Sequence, residues 1–269
     1  MRRKPELSTT STKKEVSYFV TLDYLEYMNC INESLIMLNL EQRVNKESGL
    51  KKYFRSYEFG KNEFVEEIEG AWKIYSRVFN ESKRHLIKIY NEYFLEDGKA
   101  LQEDIGKGPD FISRCILLNK KNMEIVRMLG GMLDFDRIRV ESIEKILSNE
   151  LGRTEERKND GKYYQGAKHI AGVFHQKIRA KYAKEESFGP DEEDLLHLFK
   201  ILKYKMMCLK EYTRHLSTRL LEDLDMTKDG IYSNAIALET KIIEEMKKES
   251  SENDVKNLQQ CVRDITKSE

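Results

Sequence analysis

The sequence predicts an all-α protein: an elongated antiparallel bundle of three long, kinked helices. Three observations predict it. Of 269 residues, 35% are charged and 39% hydrophobic, with a mean hydropathy of −0.67. That balance suits long helices with a narrow apolar stripe and a wide solvated face. Helix breakers are scarce: prolines stand only at Pro5, Pro109 and Pro190, and the 14 glycines are too few for the turns of a β-rich chain. Apolar residues also recur at steps of three and four over long stretches. The aromatic content of 10% argues against disorder.

Taken in order, residues 1–15 read as a disordered basic arm; MRRKPELSTTSTKK has no apolar core of a secretory signal. Helix is expected from Val16 onward, with Leu22, Leu25, Met28, Ile31, Leu35 and Leu38 on one face. It continues through Phe64, Ile68, Tyr75, Leu86, Ile89 and Tyr93, with Trp72 in the core. The GKGPDF stretch at 106–111 interrupts it, because Pro109 lacks an amide donor and disfavours helix at the residue before it. A second helix is expected from Phe111 to Leu151, weakened at Gly130-Gly131 by about 1 kcal/mol per glycine. The polar, glycine-containing stretch 151–166 suits a reversal.

A third helix is expected from Tyr164 to Met226, bent at Gly189-Pro190. The acids that follow, Asp191, Glu192, Glu193 and Asp194, favour a helix N-terminus. Its stripe is coiled-coil-like, and Leu195, Phe199, Leu202, Met206, Leu209, Leu216 and Leu220 are the expected dimer contacts. Sixty helical residues make a rod of about 90 Å, and three such rods leave apolar surface for a second copy to cover. A shorter helix from Tyr232 to Lys248 and a polar tail follow. The expected division is therefore an arm at 1–15, a helical domain at 16–226 and a C-terminal segment at 227–269.

Charge is balanced, with 47 basic and 47 acidic residues, so a nucleic-acid partner is not expected. It is nevertheless segregated. Residues 162–184 hold Lys162, Lys168, Lys177, Arg179, Lys181 and Lys184 and no acid; residues 185–194 hold six acids. Arg153, Arg157 and Lys158 add positive charge at the expected hairpin tip. Each such cation near an anionic leaflet contributes about 1 kcal/mol, so this block is the expected lipid contact.

Catalytic patterns are absent. Cys30, Cys115, Cys208 and Cys261 form no CxxC, and none of the five histidines stands in a Glu-x-x-His pair of the kind a di-iron bundle uses. No phosphate-loop, dinucleotide, nucleophile-elbow or zinc-protease motif occurs. Neither an enzyme nor a metal or organic cofactor is expected.

The segment Leu133-Asp134-Phe135-Asp136-Arg137-Ile138-Arg139 resembles the Leu/Val-Asp-Tyr/Phe-Asp-x-x-Arg element in the second helix of BAR domains. Pro109-Asp110 upstream and Gly189-Pro190 downstream resemble the proline kinks of the amphiphysin-type branch, chiefly its BAR-only fungal members. The resemblance spans roughly residues 20–226. It implies a BAR-like dimer, homotypic or formed with another BAR protein, that binds anionic lipids and senses or makes curvature. It further implies a cytoplasmic protein, peripheral at membranes, that acts in endocytosis or vesicle traffic alongside actin. It adds Arg114, Lys120, Lys121, Arg127, Arg137 and Arg139 to the lipid-facing surface. The alternative reading is a helical scaffold or tether subunit of a protein complex, without membrane binding.

Overall fold

A computed structural model describes residues 80–151, 164–182, 188–223 and 229–267, with positions 54, 55, 57 and 65. The basic arm at 1–15, the first helical stretch, Trp72 and the hairpin tip lie outside the described residues, as do Arg153, Arg157, Lys158, Lys162 and Lys184.

The all-α expectation holds: among the described residues all regular structure is helical. The long rods are cut into shorter pieces. Helix α1 is Asn80–Glu103, α2 Pro109–Met128, α3 Leu133–Leu147, α4 Gln165–Tyr182, α5 Pro190–Ile201, α6 Lys205–Thr218, α7 Asp229–Lys248 and α8 Glu252–Thr266. A 3-10 turn at Ile105–Lys107 precedes α2, and a π-helical turn at Arg219–Asp223 follows α6. No helix among the described residues is long and apolar enough to cross a membrane.

The cuts at the prolines and at the glycine pair have local causes. Pro109 and Pro190 both take the first helical position, where a missing amide costs no intrahelical bond. Gly130 and Gly131 do not merely weaken a continuous helix: they adopt φ of 79° and 65° and separate α2 from α3. Two successive left-handed residues are sterically cheap only for glycine. The break between α5 and α6 has no glycine or proline. There Leu202 turns extended (ψ 129°) while its side chain stays buried, and Tyr204 meets Tyr164 edge-to-face at 5.2 Å. The polar tail is helical as well: Ser251 Oγ accepts the Asp254 amide at the start of α8, and Val255, Leu258 and Val262 are buried along one face.

Packing links helices that are not neighbours in sequence. Helix α1 lies on α3, α4 on α6, α2 against both α3 and α4, and the α7–α8 pair on α6 and α5. The buried side chains form one contiguous core. Tyr90 is a hub of it, meeting Phe54, Phe94 and Phe135 edge-to-face at 5.8, 6.0 and 5.4 Å. Gly166 is where α4 crosses the end of α3: a Cβ there would come 2.3 Å from the Leu147 carbonyl oxygen, so no other residue permits this approach.

Candidate functional site

The two charge blocks of the sequence face one another. Helix α4 carries Lys168, Lys177, Arg179 and Lys181 of the basic block, and α5, which starts at Pro190, carries Asp191, Glu192, Glu193 and Asp194 of the acidic one. Lys177 Nζ donates to Asp191 at 2.6 Å and Lys181 Nζ to Glu192 at 2.7 Å. Lys120 of α2 pairs with Asp194 at 2.5 Å. The Lys177 hydrogen bond holds the Asp191 carboxyl below its ordinary range. Glu192 is fully buried, and the oxygen that accepts Lys181 also accepts the Gly189 amide at 2.8 Å. It thus closes the helix N-terminus and neutralises Lys181 at once.

The remaining basic residues expected at a lipid face have similar fates. Arg114 pairs with Asp104, Arg127 with Glu124 at 3.1 Å, and Arg137 lies 3.9 Å from both Asp134 and Glu141. Lys121 donates to the Arg55 carbonyl at 3.0 Å and lies over the Tyr93 ring. Arg139 is 8% exposed, bound to Asp136 and to Asn119 of α2. Lys168 and Arg179 are exposed on α4. In the BAR-like motif, then, Phe135 fills the aromatic core and Arg139 pins α3 to α2. Leu133, 86% exposed, and Arg137 project outward.

The expected dimer stripe is occupied by the chain itself. Leu195, Phe199, Leu202, Leu209, Leu216 and Leu220 are all buried in the core, and Met206 alone is exposed, at 51%. Side chains with no accessible area have nothing to offer a second copy.

A polar cluster that the sequence pattern did not single out sits beneath the last two helices. Glu239 of α7 is fully buried, as is Arg219 at the start of the π-helical turn. Arg219 Nε donates to Glu239 Oε1 at 2.7 Å and Nη2 to Oε2 at 3.1 Å. Tyr182 of α4 and Tyr212 of α6 donate to the two carboxylate oxygens at 2.5 and 2.6 Å. One carboxylate thus ties α7 to three other elements. Desolvation opposes the Arg219 charge, but Glu239 outweighs it and raises the guanidinium pKa. Burial, with the adjacent carboxylate, pushes the Tyr182 and Tyr212 phenols well above their ordinary value. A legible signal existed. Arg219 interrupts a stripe between Leu216 and Leu220, and Glu239 another between Ala235 and Ile242; opposite charges inside two apolar stripes are natural partners.

Between α7 and α8 runs a groove of about 300 Å³, lined by Ile236, Thr240, Ile243, Gln259 and Val262 with Glu244 and Arg263. Among the described residues no group of three or more histidine, cysteine or acidic side chains is arranged to hold a metal ion.

Among the described residues these features define a stack of short helices whose apolar stripes are buried in its own core and whose opposite charges pair between helices. A family model for the cullin alpha solenoid domain matches residues 13–269, nearly the whole chain. The chain belongs to the cullin family. No curated protein and no solved structure matches it.

The match overturns the resemblance to BAR domains and what it implied: a curvature-forming role in endocytosis beside actin, anionic lipids as ligands, and a BAR dimer as the assembly. The physical reason lies in what the quoted residues do. The prolines start helices of a stack instead of bending long rods, and Phe135 and Arg139 of the Asp-Phe-Asp-x-x-Arg element pack inward. Lys177 and Lys181 of the basic block that suggested lipid contact have acidic partners on α5. Accordingly, Lys181→Glu is expected to act through the fold. It would place a carboxylate against buried Glu192 and cost about 3–5 kcal/mol in urea unfolding. Lys177→Glu, at a half-exposed pair, should cost about 0–1 kcal/mol.

Proposed function

We propose that this chain is a helical scaffold that holds protein partners in a cullin-type, ubiquitin-ligase-like assembly, with no catalytic or membrane-binding role of its own. The observation that carries the proposal is the family match over residues 13–269. The internal pairing of Lys120, Lys177 and Lys181 with the acids of α5 supports it, since it leaves these cations little to offer an anionic membrane. A solenoid suits this role, because stacked helical units present extended surfaces on which partners can be held at fixed separation.

The test is coexpression with adaptor and RING-type subunits of the kind cullins assemble with, followed by size-exclusion chromatography with light scattering. A stable complex of defined stoichiometry is the expected result. Cosedimentation with phosphatidylserine vesicles, run beside it, should show no binding. A folded chain that ignores every such subunit but binds the vesicles in a salt-sensitive way would overturn the proposal.

A further inference from the structure

Next to the Arg219–Glu239 pair lie two histidines from different helices. His175 of α4 and His215 of α6 stack at 4.6 Å between ring centroids, with 16° between their planes. His175 Nδ1 is 3.3 Å from Arg219 Nη1. A guanidinium has only N–H donors, so the ring nitrogen must accept, and His175 must carry its proton on Nε2 alone. The same guanidinium holds Glu239 through its other nitrogens. The arrangement therefore requires a neutral His175.

The groups facing the pair come from several elements. From α6 they are Glu211, 3.9 Å from His215, and Arg214, which is itself bound to Glu211 at 2.7 Å; from the π-helical turn, Arg219. From α4 there is Lys168, whose charge acts on Glu211, together with Tyr182; Tyr212 of α6 and Glu239 of α7 complete the set. The acidic and basic residues of α8, which packs on α6, are exposed or half-buried. Positive charge thus crowds the rings, and Glu211 is partly spent on Arg214.

We propose that the His175–His215 stack is a proton-operated latch: it locks the Arg219–Glu239 pair, and with it the α7–α8 hairpin, onto the stack, and loosens both in mildly acidic solution. Protonating His175 sets an N–H against an N–H of Arg219. Protonating both rings sets two cations face to face beside a third. The guanidinium must then move, and Glu239 loses its counter-ion, one of the three partners that tie α7 down. The direction of the pH dependence follows from the states. A free histidine takes its proton near pH 6.5. Burial, with His175 and Arg214 nearby, holds the folded His215 below that value. The detached state therefore binds more protons once the pH falls below about 6.5, and attachment weakens from there downward; above it neither state is charged and nothing changes.

Hydrogen exchange of the whole chain at pH 7.5 and 5.5, corrected for intrinsic exchange, tests this. Peptides from 229–267 should lose protection at pH 5.5 relative to those from 80–147, because protonation favours the detached state. The His175→Gln/His215→Gln variant, whose amide oxygen at 175 can still accept from Arg219, should lose that pH dependence. Should the double variant not fold, His215→Phe keeps a ring in the stack and should halve the effect or more. Imidazole proton resonances of the wild type give a readout that needs no substitution. Uniform loss of protection over all helices, an unchanged pH dependence in the variants, or ring titration without any change in α7–α8 would each overturn the latch.

Discussion

Glu239→Ala is expected to cost about 3–5 kcal/mol, because it strands a fully buried guanidinium without its counter-ion. Whole domains are stable by only about 5–15 kcal/mol, so the variant should stand near the edge of unfolding at room temperature. The loss exceeds that of a surface ion pair for a structural reason. Arg219 and Glu239 both have zero exposed side-chain area, and water cannot replace the missing partner. Two tyrosine hydroxyls lose their acceptor as well. Chemical denaturation of Glu239→Ala and Arg219→Met, with the Arg219→Met/Glu239→Met pair closing the cycle, measures the coupling. The double variant should recover much of the loss, since apolar residues of similar volume need no counter-charge. Strict additivity of the two single losses would contradict the clamp.

Phe199→Ala should be nearly as costly, at about 3–5 kcal/mol, and its effect should not depend on protein concentration. Phe199 is fully buried among the chain's own helices, so its removal leaves a cavity in the monomer core. If the stripe instead joined two copies, the unfolding midpoint would rise with concentration and the variant would dissociate before it unfolded. Met206, the exposed member of that stripe, provides the control: Met206→Ala should change stability by no more than about 0.5 kcal/mol.

The helical class and the helix starts at Pro109 and Pro190 were legible because they depend on local chemistry. Proline presets φ and lacks a donor wherever it stands, and the acids after Pro190 act over a single turn. The stripe from Leu195 to Leu220 was legible as apolar, yet its partner was not. Periodicity says that a face is buried, and nothing about whether the covering surface belongs to the same chain. The break at Leu202 left no trace in the residues, which include no glycine or proline there; what accompanies it is the Tyr204–Tyr164 contact, made across the fold. The Asp-Phe-Asp-x-x-Arg element misled for a related reason. A short pattern of acid, aromatic and arginine can face a ligand or a neighbouring helix, and Arg139 chose Asn119.

The sequence by itself determined that this protein is helical, that helices start at Pro109 and Pro190, and that it gathers opposite charges in adjacent blocks. Those properties follow from backbone sterics and from residues within one or two turns of each other. Tertiary structure decided what the charges and stripes are for. It set the basic block of α4 against the acids of α5, turned the apolar stripe onto the chain's own core, and buried Arg219 against Glu239. Each outcome depends on which helix lies beside which, and that is settled by the summed packing of the whole core, which no local pattern encodes.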